Sequence, residues 1–285
     1  MLISYNEACA KGCSDLERDL RLCEEAGFDY IEIRLDMLRE YLKSHSLEEL
    51  GVFFEKSRLK PHALNALYLY PEFLKGGEKD GPLLEEFELA MRAGQAIGGH
   101  YLIVVPPLWR GEGAYPGDRE QASRECVRIL KRLSAAARPY GMNLCFEPVG
   151  LEKSSVRTVQ EADAIIRQVN EDNVGFAFDS YNLYLNGGSN DFSAMGQVQR
   201  EKIFAVHLMS GDDVPAGQRG QDKRCFCGRG VVDTDGFLQQ LKRCGYEGMV
   251  SAETFRPEYW EREPEWVIAE AYRTTQEALA GNGCL

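Results

Sequence analysis

The sequence predicts an α/β fold, a (β/α)8 barrel, on the strength of three observations. Eight short apolar runs recur along the 285 residues. Longer segments with helical periodicity lie between them, which is typical of repeated β–α units. The first run continues as YNEACAKG and lacks the G-x-G-x-x-G motif of a dinucleotide-binding open sheet. Eight units in a chain near the usual ~250 residues therefore favour a closed barrel over a doubly wound sheet.

The eight apolar runs are the candidate strands. Most of them are apolar at successive positions rather than at alternate ones, as expected of parallel strands covered by helices. The runs are residues 2–8, 30–35, 60–67, 101–106, 143–149, 174–180, 203–210 and 249–255.

The segments between these runs have the periodicity of amphipathic helices. Residues 15–26 place Leu16, Leu20 and Cys23 on one stripe, and Gly27 follows as a helix stop. The same pattern predicts helices over 83–97, 118–138, 157–169, 235–244 and 264–279. Because no linker or low-complexity segment interrupts the repeat, we expect a single barrel domain over residues 1–285.

Composition and charge argue against several classes of partner. The 33 basic and 45 acidic residues give a net charge of −12, which opposes binding to nucleic acid or to an anionic membrane. No stretch approaches the ~20 apolar residues of a membrane span, and the N-terminus does not resemble a signal peptide. Together with nine scattered cysteines, this predicts a cytoplasmic protein with reduced thiols. Four histidines are too few for a site built from many imidazoles.

Ionisable residues occur near the ends of the last four apolar runs: Glu147, Asp179, His207 and Glu253. In a barrel the carboxyl ends of the strands meet at one face, where active sites form. Three uncompensated carboxylates would repel one another there, and a divalent cation removes that repulsion. Mixed oxygen and nitrogen donors suit Mn²⁺, Mg²⁺, Co²⁺ or Zn²⁺. The pattern thus predicts a metal site, against the structural alternative of strand-end salt bridges and a hydrogen-bonded core histidine.

Further polar and aromatic residues at the same face are candidate substrate contacts. The second run ends with Arg34 and Asp36. The candidates for direct binding are Asn6, Glu7, Asn65, Trp109, Asn182 and Arg224. Amide and guanidinium groups hydrogen-bond hydroxyls, and aromatic faces pack on the C–H faces of a polyol ring. Structural roles at strand ends are equal alternatives for Asn6, Glu7 and Asn65, as is a plain surface position for Arg224, whereas simple packing is the commoner role of a loop aromatic such as Trp109.

Four motifs around the ionisable residues carry a family resemblance: CFEPVG, FAFDSYN, AVHLMSGD and SAETFRPE. With the stretch GRGVVDTDGFLQQLKRCGYEGMVSAETF, they make the chain similar, almost end to end, to the xylose-isomerase-like sugar isomerases and epimerases. The resemblance implies that Glu147, Asp179, His207 and Glu253 bind one divalent metal ion. It also implies that Glu147 and Glu253 are the catalytic residues on the two faces of the substrate.

Within that superfamily, the chain resembles the inosose isomerases. The segments that carry this finer resemblance are YNEACAKGCSDLERDLRLCEEAGFDYIEIR, EYLKSHSLEEL, KPHALNAL, DNVGFAFDS and AETFRPEYW. The resemblance implies a metal-dependent isomerase, with Mn²⁺ favoured, that converts 2-keto-myo-inositol to 1-keto-D-chiro-inositol by proton transfer through a metal-stabilised enediolate. The expected partner is a small polyol or keto-sugar, and assembly as a homo-oligomer stays open.

Other functions stay open beside this one. A ketose 3-epimerase, or a keto-sugar lyase or dehydratase, would use the same metal site. An apurinic endonuclease, a phosphodiesterase with a similar barrel, needs a His-rich multi-zinc cluster. Asn182 stands where a further His would help build that cluster, and this disfavours the endonuclease, as does the net charge of −12. The intact set of four ligands disfavours a non-catalytic binding protein.

Overall fold

The computed structural model of the protein describes residues 1–70 and 81–285, and eight parallel strands in it close a barrel. The barrel strands are β1 (Leu2–Asn6), β2 (Tyr30–Arg34), β3 (Lys60–Tyr68), β4 (Tyr101–Val105), β5 (Asn143–Phe146), β6 (Val174–Asp179), β7 (Ile203–His207) and β10 (Met249–Ala252). Their order around the barrel is β1-β10-β7-β6-β5-β4-β3-β2, so the last strand pairs with the first. The predicted barrel fold is confirmed.

Two further strands were not predicted from the sequence. They are β8 (Ser210–Gly211) and β9 (Arg224–Cys225), which pair antiparallel to each other after β7. Gly211 lies opposite Arg224 in this pair. The pair therefore returns the long segment after β7 to the carboxyl end of the barrel.

The helices lie between the barrel strands along the chain. They are α1 (Leu16–Ala26), α2 (Leu35–Tyr41), α3 (Leu47–Lys56), α4 (Gly81–Ile97), α5 (Arg119–Ala137), α6 (Val159–Val169), α7 (Ser180–Leu185), α8 (Thr234–Arg243), α9 (Pro257–Trp260) and α10 (Pro264–Gly281). The six predicted helices correspond to α1, α4, α5, α6, α8 and α10, with ends that agree within two residues. The other four were missed. Within the described ranges, none of the helices has the length and apolar content needed to cross a membrane.

Local capping explains where α1 and α6 begin and where α1 ends. The side chain of Asp15 accepts a hydrogen bond from the Arg18 N–H at 2.8 Å and so caps α1. Gly27 ends that helix in the left-handed conformation, with φ of 107°, which a residue without a Cβ adopts at little cost. Thr158 and Glu161 form a capping box at the start of α6.

Small buried side chains occupy the barrel interior below the carboxyl-end mouth. Among them are Ser4, Ala63, Cys145, Ala177, Ala205 and Ser251. Alternate residues of a strand face the same side of a sheet, so the residue two positions later faces the interior nearer the mouth. Those later residues are Asn6, Asn65, Glu147, Asp179, His207 and Glu253. Because side chains alternate along each strand, these six polar side chains lie together at the carboxyl end of the barrel, above the layer of small side chains.

Candidate metal centre

Four buried side chains converge at the carboxyl end of the barrel. They are Glu147, Asp179, His207 and Glu253, and one ligand atom of each lies within 4.8 Å of the others. Asp179 and His207 are the last residues of β6 and β7, which pair at this point. Glu147 and Glu253 directly follow β5 and β10. The structure therefore brings together all four residues that the sequence singles out as metal ligands.

The two nitrogens of His207 face different partners. Nδ1 lies 3.2 Å from Glu147 Oε1, 3.6 Å from Glu253 Oε2 and 3.8 Å from an oxygen of Asp179. Nε2 lies 3.0 Å from an oxygen of Glu32 on β2. With one proton donated from Nε2 to Glu32, a metal ion that displaces the Nδ1 proton would find the Nδ1 lone pair directed towards the three carboxylates. Nδ1 is therefore the nitrogen available to a metal ion.

Glu32 is a site residue that the sequence analysis missed. Its carboxylate is fully buried, accepts a hydrogen bond from Asn6 Nδ2 at 2.8 Å and lies 3.4 Å from His62 Nδ1. Asn65 Nδ2 also donates to it at 3.5 Å. The signal was present: in the run YIEIRL an acidic residue occupies an inner position of an otherwise apolar strand. An ionised residue is almost never placed there without a partner.

Arg224 bridges two of the candidate ligands. Its Nη1 donates to Asp179 Oδ2 at 2.7 Å and to Glu253 Oε2 at 3.0 Å, and the residue is only 1% exposed. Gln221 in turn accepts from Arg224 Nε. The β8–β9 pair therefore places a permanent positive charge against the carboxylates. Arg224 was expected to contact substrate, and the structure places its Nη1 against Asp179 and Glu253.

Burial and mutual repulsion shift the pKa values of the centre. Burial raises the pKa of Glu253 to about 7 against the lowering effect of His207 and Arg224, and the negative charges of Glu147 and Asp179 add to the rise. Burial lowers the pKa of His207, but the surrounding carboxylates outweigh it and hold that pKa well above its ordinary value. The pKa of Glu32 lies below its ordinary value despite burial, because His207 stabilises the carboxylate.

The donor set fits a divalent cation. Glu32, Glu147, Asp179 and Glu253 are four carboxylates, and within residues 1–70 and 81–285 Arg224 is the arginine that forms ion pairs with two of them. The excess negative charge in a buried site is costly unless a cation compensates for it. Three carboxylates and one imidazole nitrogen also match the ligand preferences of Mn²⁺, Zn²⁺ and Co²⁺.

Amide side chains hold the two glutamates in place. Asn6 Nδ2 and Asn65 Nδ2 donate to Glu253 Oε1 at 2.9 and 3.1 Å. Asn182 Nδ2 donates to Glu147 Oε1 at 3.1 Å. These three residues were expected to bind substrate, and the structure places each of them beside a candidate catalytic carboxylate.

A close backbone approach positions Asn182. The N–H of Gly150 donates to the carbonyl of Asn182 at 3.0 Å, and a Cβ on Gly150 would lie 2.3 Å from that oxygen. Only a glycine permits this distance, since real Cβ atoms essentially never approach a heavy atom so closely. The carboxylate of Asp179 additionally caps α7 by accepting from the Asn182 N–H at 2.6 Å.

Two other expected substrate contacts have their recorded partners elsewhere. Glu7 is fully buried, and its carboxylate accepts a hydrogen bond from the backbone N–H of Arg34 at 2.7 Å. Trp109 lies in the segment after β4, where its indole N–H donates to the carbonyl of Glu112 at 3.1 Å. His62, by contrast, lies beside the site, with its Nδ1 3.4 Å from Glu32 Oε1.

A closed (β/α)8 barrel that gathers ionisable side chains at its carboxyl end is typical of TIM-barrel enzymes. Comparison with known protein families specifies the class further, because residues 20–272 match the family described as xylose isomerase-like TIM barrel. The chain belongs to the xylose isomerase-like TIM barrel family.

Individual relatives are similar over the full length of the chain. An inosose isomerase of Bacillus licheniformis is 36% identical over 281 residues, which cover 98% of each chain. A crystal structure of the IolI protein with a bound zinc atom has 36% sequence identity and a TM-score of 0.90, covering 99% of both chains. An L-ribulose 3-epimerase of a Methylomonas species is 28% identical over 250 residues, 82% of this chain and 76% of the relative.

Proposed function

We propose that this protein is a divalent-metal-dependent isomerase of a ketocyclitol, with 2-keto-myo-inositol as substrate. The observation that carries the proposal is the buried convergence of Glu147, Asp179, His207 and Glu253 in one site. The full-length similarity to inosose isomerases supports the choice of substrate. The product on this proposal is 1-keto-D-chiro-inositol.

A divalent ion in this site supplies Lewis-acid polarisation of the adjacent carbonyl and hydroxyl oxygens of an α-hydroxyketone. We propose Mn²⁺ as the resident ion, with Zn²⁺ as the alternative because the IolI relative binds zinc. His207 would contribute Nδ1, and Glu147, Asp179 and Glu253 one oxygen each.

Proton transfer falls to the two glutamates. The carboxylate of Glu253 is buried beside the proposed metal position, where it can accept a proton from the substrate and return it. Asn6 and Asn65 hold its carboxylate by donating to Oε1, which fixes the direction in which it reaches the substrate carbon. Asn182 holds the Glu147 carboxylate in the same way from the opposite side of the ligand set.

The direct test is turnover of 2-keto-myo-inositol by metal-stripped protein and by the same protein after restoration with Mn²⁺, Zn²⁺, Co²⁺ or Mg²⁺. We expect activity only after restoration, with the carbonyl carbon moving to the neighbouring position in the ¹³C NMR spectrum. Metal binding without turnover of this ketone would remove the substrate assignment. Full activity in stripped protein would remove the metal-dependent mechanism.

A ketose 3-epimerase is the second candidate, favoured by the similarity to the L-ribulose 3-epimerase. Both activities begin with removal of a proton next to a carbonyl, so they differ only in the carbon that receives it back. NMR in D₂O separates them: an isomerase moves the carbonyl, whereas an epimerase leaves it in place and inverts one carbon. Ribulose and fructose are the comparison substrates.

A further inference from the structure

Arg34 is the last residue of β2 and lies at the mouth of the barrel. It follows Glu32 by two positions, and alternate residues of a strand face the same side of a sheet. Its guanidinium is therefore one layer nearer the mouth than the carboxylate that contacts His207. The residue is 7% exposed, which is rare for an arginine.

Two contacts hold the Arg34 guanidinium in position. Nε and Nη2 donate to the two carboxylate oxygens of Asp36 at 2.9 and 3.1 Å, a bidentate pair. The Cζ atom lies 5.5 Å from the centre of the half-buried Phe255 ring, and Arg224 Cζ lies 5.3 Å from the same ring. The bidentate pair leaves Nη1 as the nitrogen that Asp36 does not engage.

Nη1 of Arg34 is a buried donor without a hydrogen-bond partner among the residues that the structure describes. An unmade hydrogen bond on a buried charged donor costs more than a neutral one, and native proteins satisfy almost all such groups. A ligand oxygen at the mouth would satisfy it. Tyr68, at the end of β3, lies near Arg34. Burial raises the pKa of Tyr68 to about 12, and the positive charge of Arg34 acts in the opposite direction.

The position of β2 in the barrel defines which part of a ligand could reach Arg34. In the strand order β1-β10-β7-β6-β5-β4-β3-β2, four steps separate β2 from β6 in either direction. Arg34 therefore lies across the barrel from Asp179, the metal-ligand candidate on β6. A six-membered ring whose reacting carbons lie at the metal centre extends its far oxygens towards β2.

We propose that Arg34 is a substrate-anchoring residue whose Nη1 binds a hydroxyl oxygen on the far side of a polyhydroxylated ring. This inference rests on the proposed isomerase function and adds to it the residue that selects a polyol ring over a simpler hydroxyketone. Asp36 orients the guanidinium, and the Phe255 ring supports its face. Because Arg34 does not reach the reacting carbons, its contribution lies in binding, and so in KM rather than kcat.

The test compares two ketones that share the reacting group. 2-Keto-myo-inositol carries hydroxyls around the ring, whereas 2-hydroxycyclohexanone carries only the α-hydroxyketone. NMR of proton exchange in D₂O gives KM and kcat for both ketones with the metal-loaded protein. In Arg34→Met we expect the KM for the inosose to rise about tenfold or more, as for loss of one charge-assisted hydrogen bond. The kcat, and the KM for 2-hydroxycyclohexanone, should not change.

Two variants complete the comparison. Arg21→Met removes an exposed arginine of α1 and should leave both KM values unchanged. Arg34→Lys keeps a positive charge beside Asp36 but has no Nη1, so it should also raise the KM for the inosose. If Arg34→Met fails to fold, Arg34→Lys provides the test in its place. Equal increases for both ketones, or an unchanged inosose KM in both Arg34 variants, would overturn the proposal.

A binding measurement separates this proposal from the proposed function. Calorimetric titration of metal-loaded protein with myo-inositol, which cannot react, reports the anchor without turnover. If wild-type protein turns over neither ketone, the isomerase function fails. Weaker myo-inositol binding in Arg34→Met than in Arg21→Met would still support the anchor, and equal binding in the two variants would contradict it.

Discussion

The carboxylate of Glu32 and the imidazole of His207 are joined across the barrel interior, with Glu32 Oε2 3.0 Å from His207 Nε2. Both side chains are fully buried. The contact fixes the proton of His207 on Nε2 and directs Nδ1 at the three other candidate ligands. A strand that contributes no ligand to the centre therefore determines which nitrogen can bind a metal ion.

Replacement of Glu32 by Gln should weaken metal binding. The introduced amide keeps the size of the side chain but removes the negative charge that makes His207 a stronger ligand, and loss of such a partner costs about 10- to 100-fold in metal affinity. Calorimetric titration with Mn²⁺ and Zn²⁺ measures the effect directly. Glu48→Gln, at an exposed position of α3, is the control. Equal affinity in Glu32→Gln and wild-type protein would show that the contact does not support the centre.

Replacement of Glu253 by Gln should affect both metal binding and turnover. The variant loses a candidate ligand and the carboxylate that we propose transfers the proton, so kcat should fall about 10²- to 10⁴-fold even at saturating metal. Steady-state kinetics with 2-keto-myo-inositol at several Mn²⁺ concentrations separates the two effects. Glu261→Gln, an exposed substitution after α9, should behave as wild type. A kcat that excess metal fully restores would leave Glu253 as a ligand only.

Arg224 should stabilise the metal-free protein more than the metal-bound protein. Its guanidinium is buried against Asp179 and Glu253, and removal of one partner of a buried ion pair costs about 3–5 kcal/mol. A divalent ion replaces the lost positive charge, so Arg224→Met should show a larger rise in Tm on addition of Mn²⁺ than wild type does. Thermal unfolding with and without metal tests this. Arg124→Met, at an exposed position of α5, controls for loss of an arginine.

Sequence periodicity was sufficient to predict the barrel and to single out the four candidate ligands. Glu147, Asp179, His207 and Glu253 each occur where an apolar run ends, and closure of the barrel needs no further information to bring such positions together. Their predicted role as ligands stays a prediction, because convergence alone does not demonstrate metal binding. The helices with a long apolar stripe were likewise predicted within two residues.

The features that were missed depend on tertiary contacts. Glu32 lies inside an apolar run, where only the position of His207 across the barrel reveals its partner. Arg224 was named as a candidate substrate contact, but its contacts with Asp179 and Glu253 were not predicted, because it lies in a loop sequence without a helical or strand period and its burial follows from the β8–β9 pair. The helices α2, α7 and α9 have 7, 6 and 4 residues, too few to show a periodic stripe as clearly as the longer helices do.

A second group of buried carboxylates lies outside the metal centre, between β1 and α1. Asp19 is fully buried, and neither of its carboxylate oxygens has a hydrogen-bond partner among the described residues. Burial raises the pKa of Asp19 from its ordinary 3.8 to about 8. Burial also raises the pKa of Glu7, and the charge of Asp19 adds to that effect. The folded protein therefore holds a proton on Asp19 that the unfolded chain releases near pH 4.

Stability should consequently fall as the pH rises from about 4 to about 8, because in this range the unfolded chain has lost the Asp19 proton and the folded protein retains it. Asp19→Asn removes this dependence. Relative to wild type, the variant should gain roughly 4 kcal/mol of unfolding free energy between pH 5 and pH 8. Urea unfolding at both pH values measures the difference. Glu17→Gln, an exposed substitution on the same helix, should have nearly the same difference in unfolding free energy from wild type at both pH values. If the difference between Asp19→Asn and wild type is also independent of pH, Asp19 does not hold the proton.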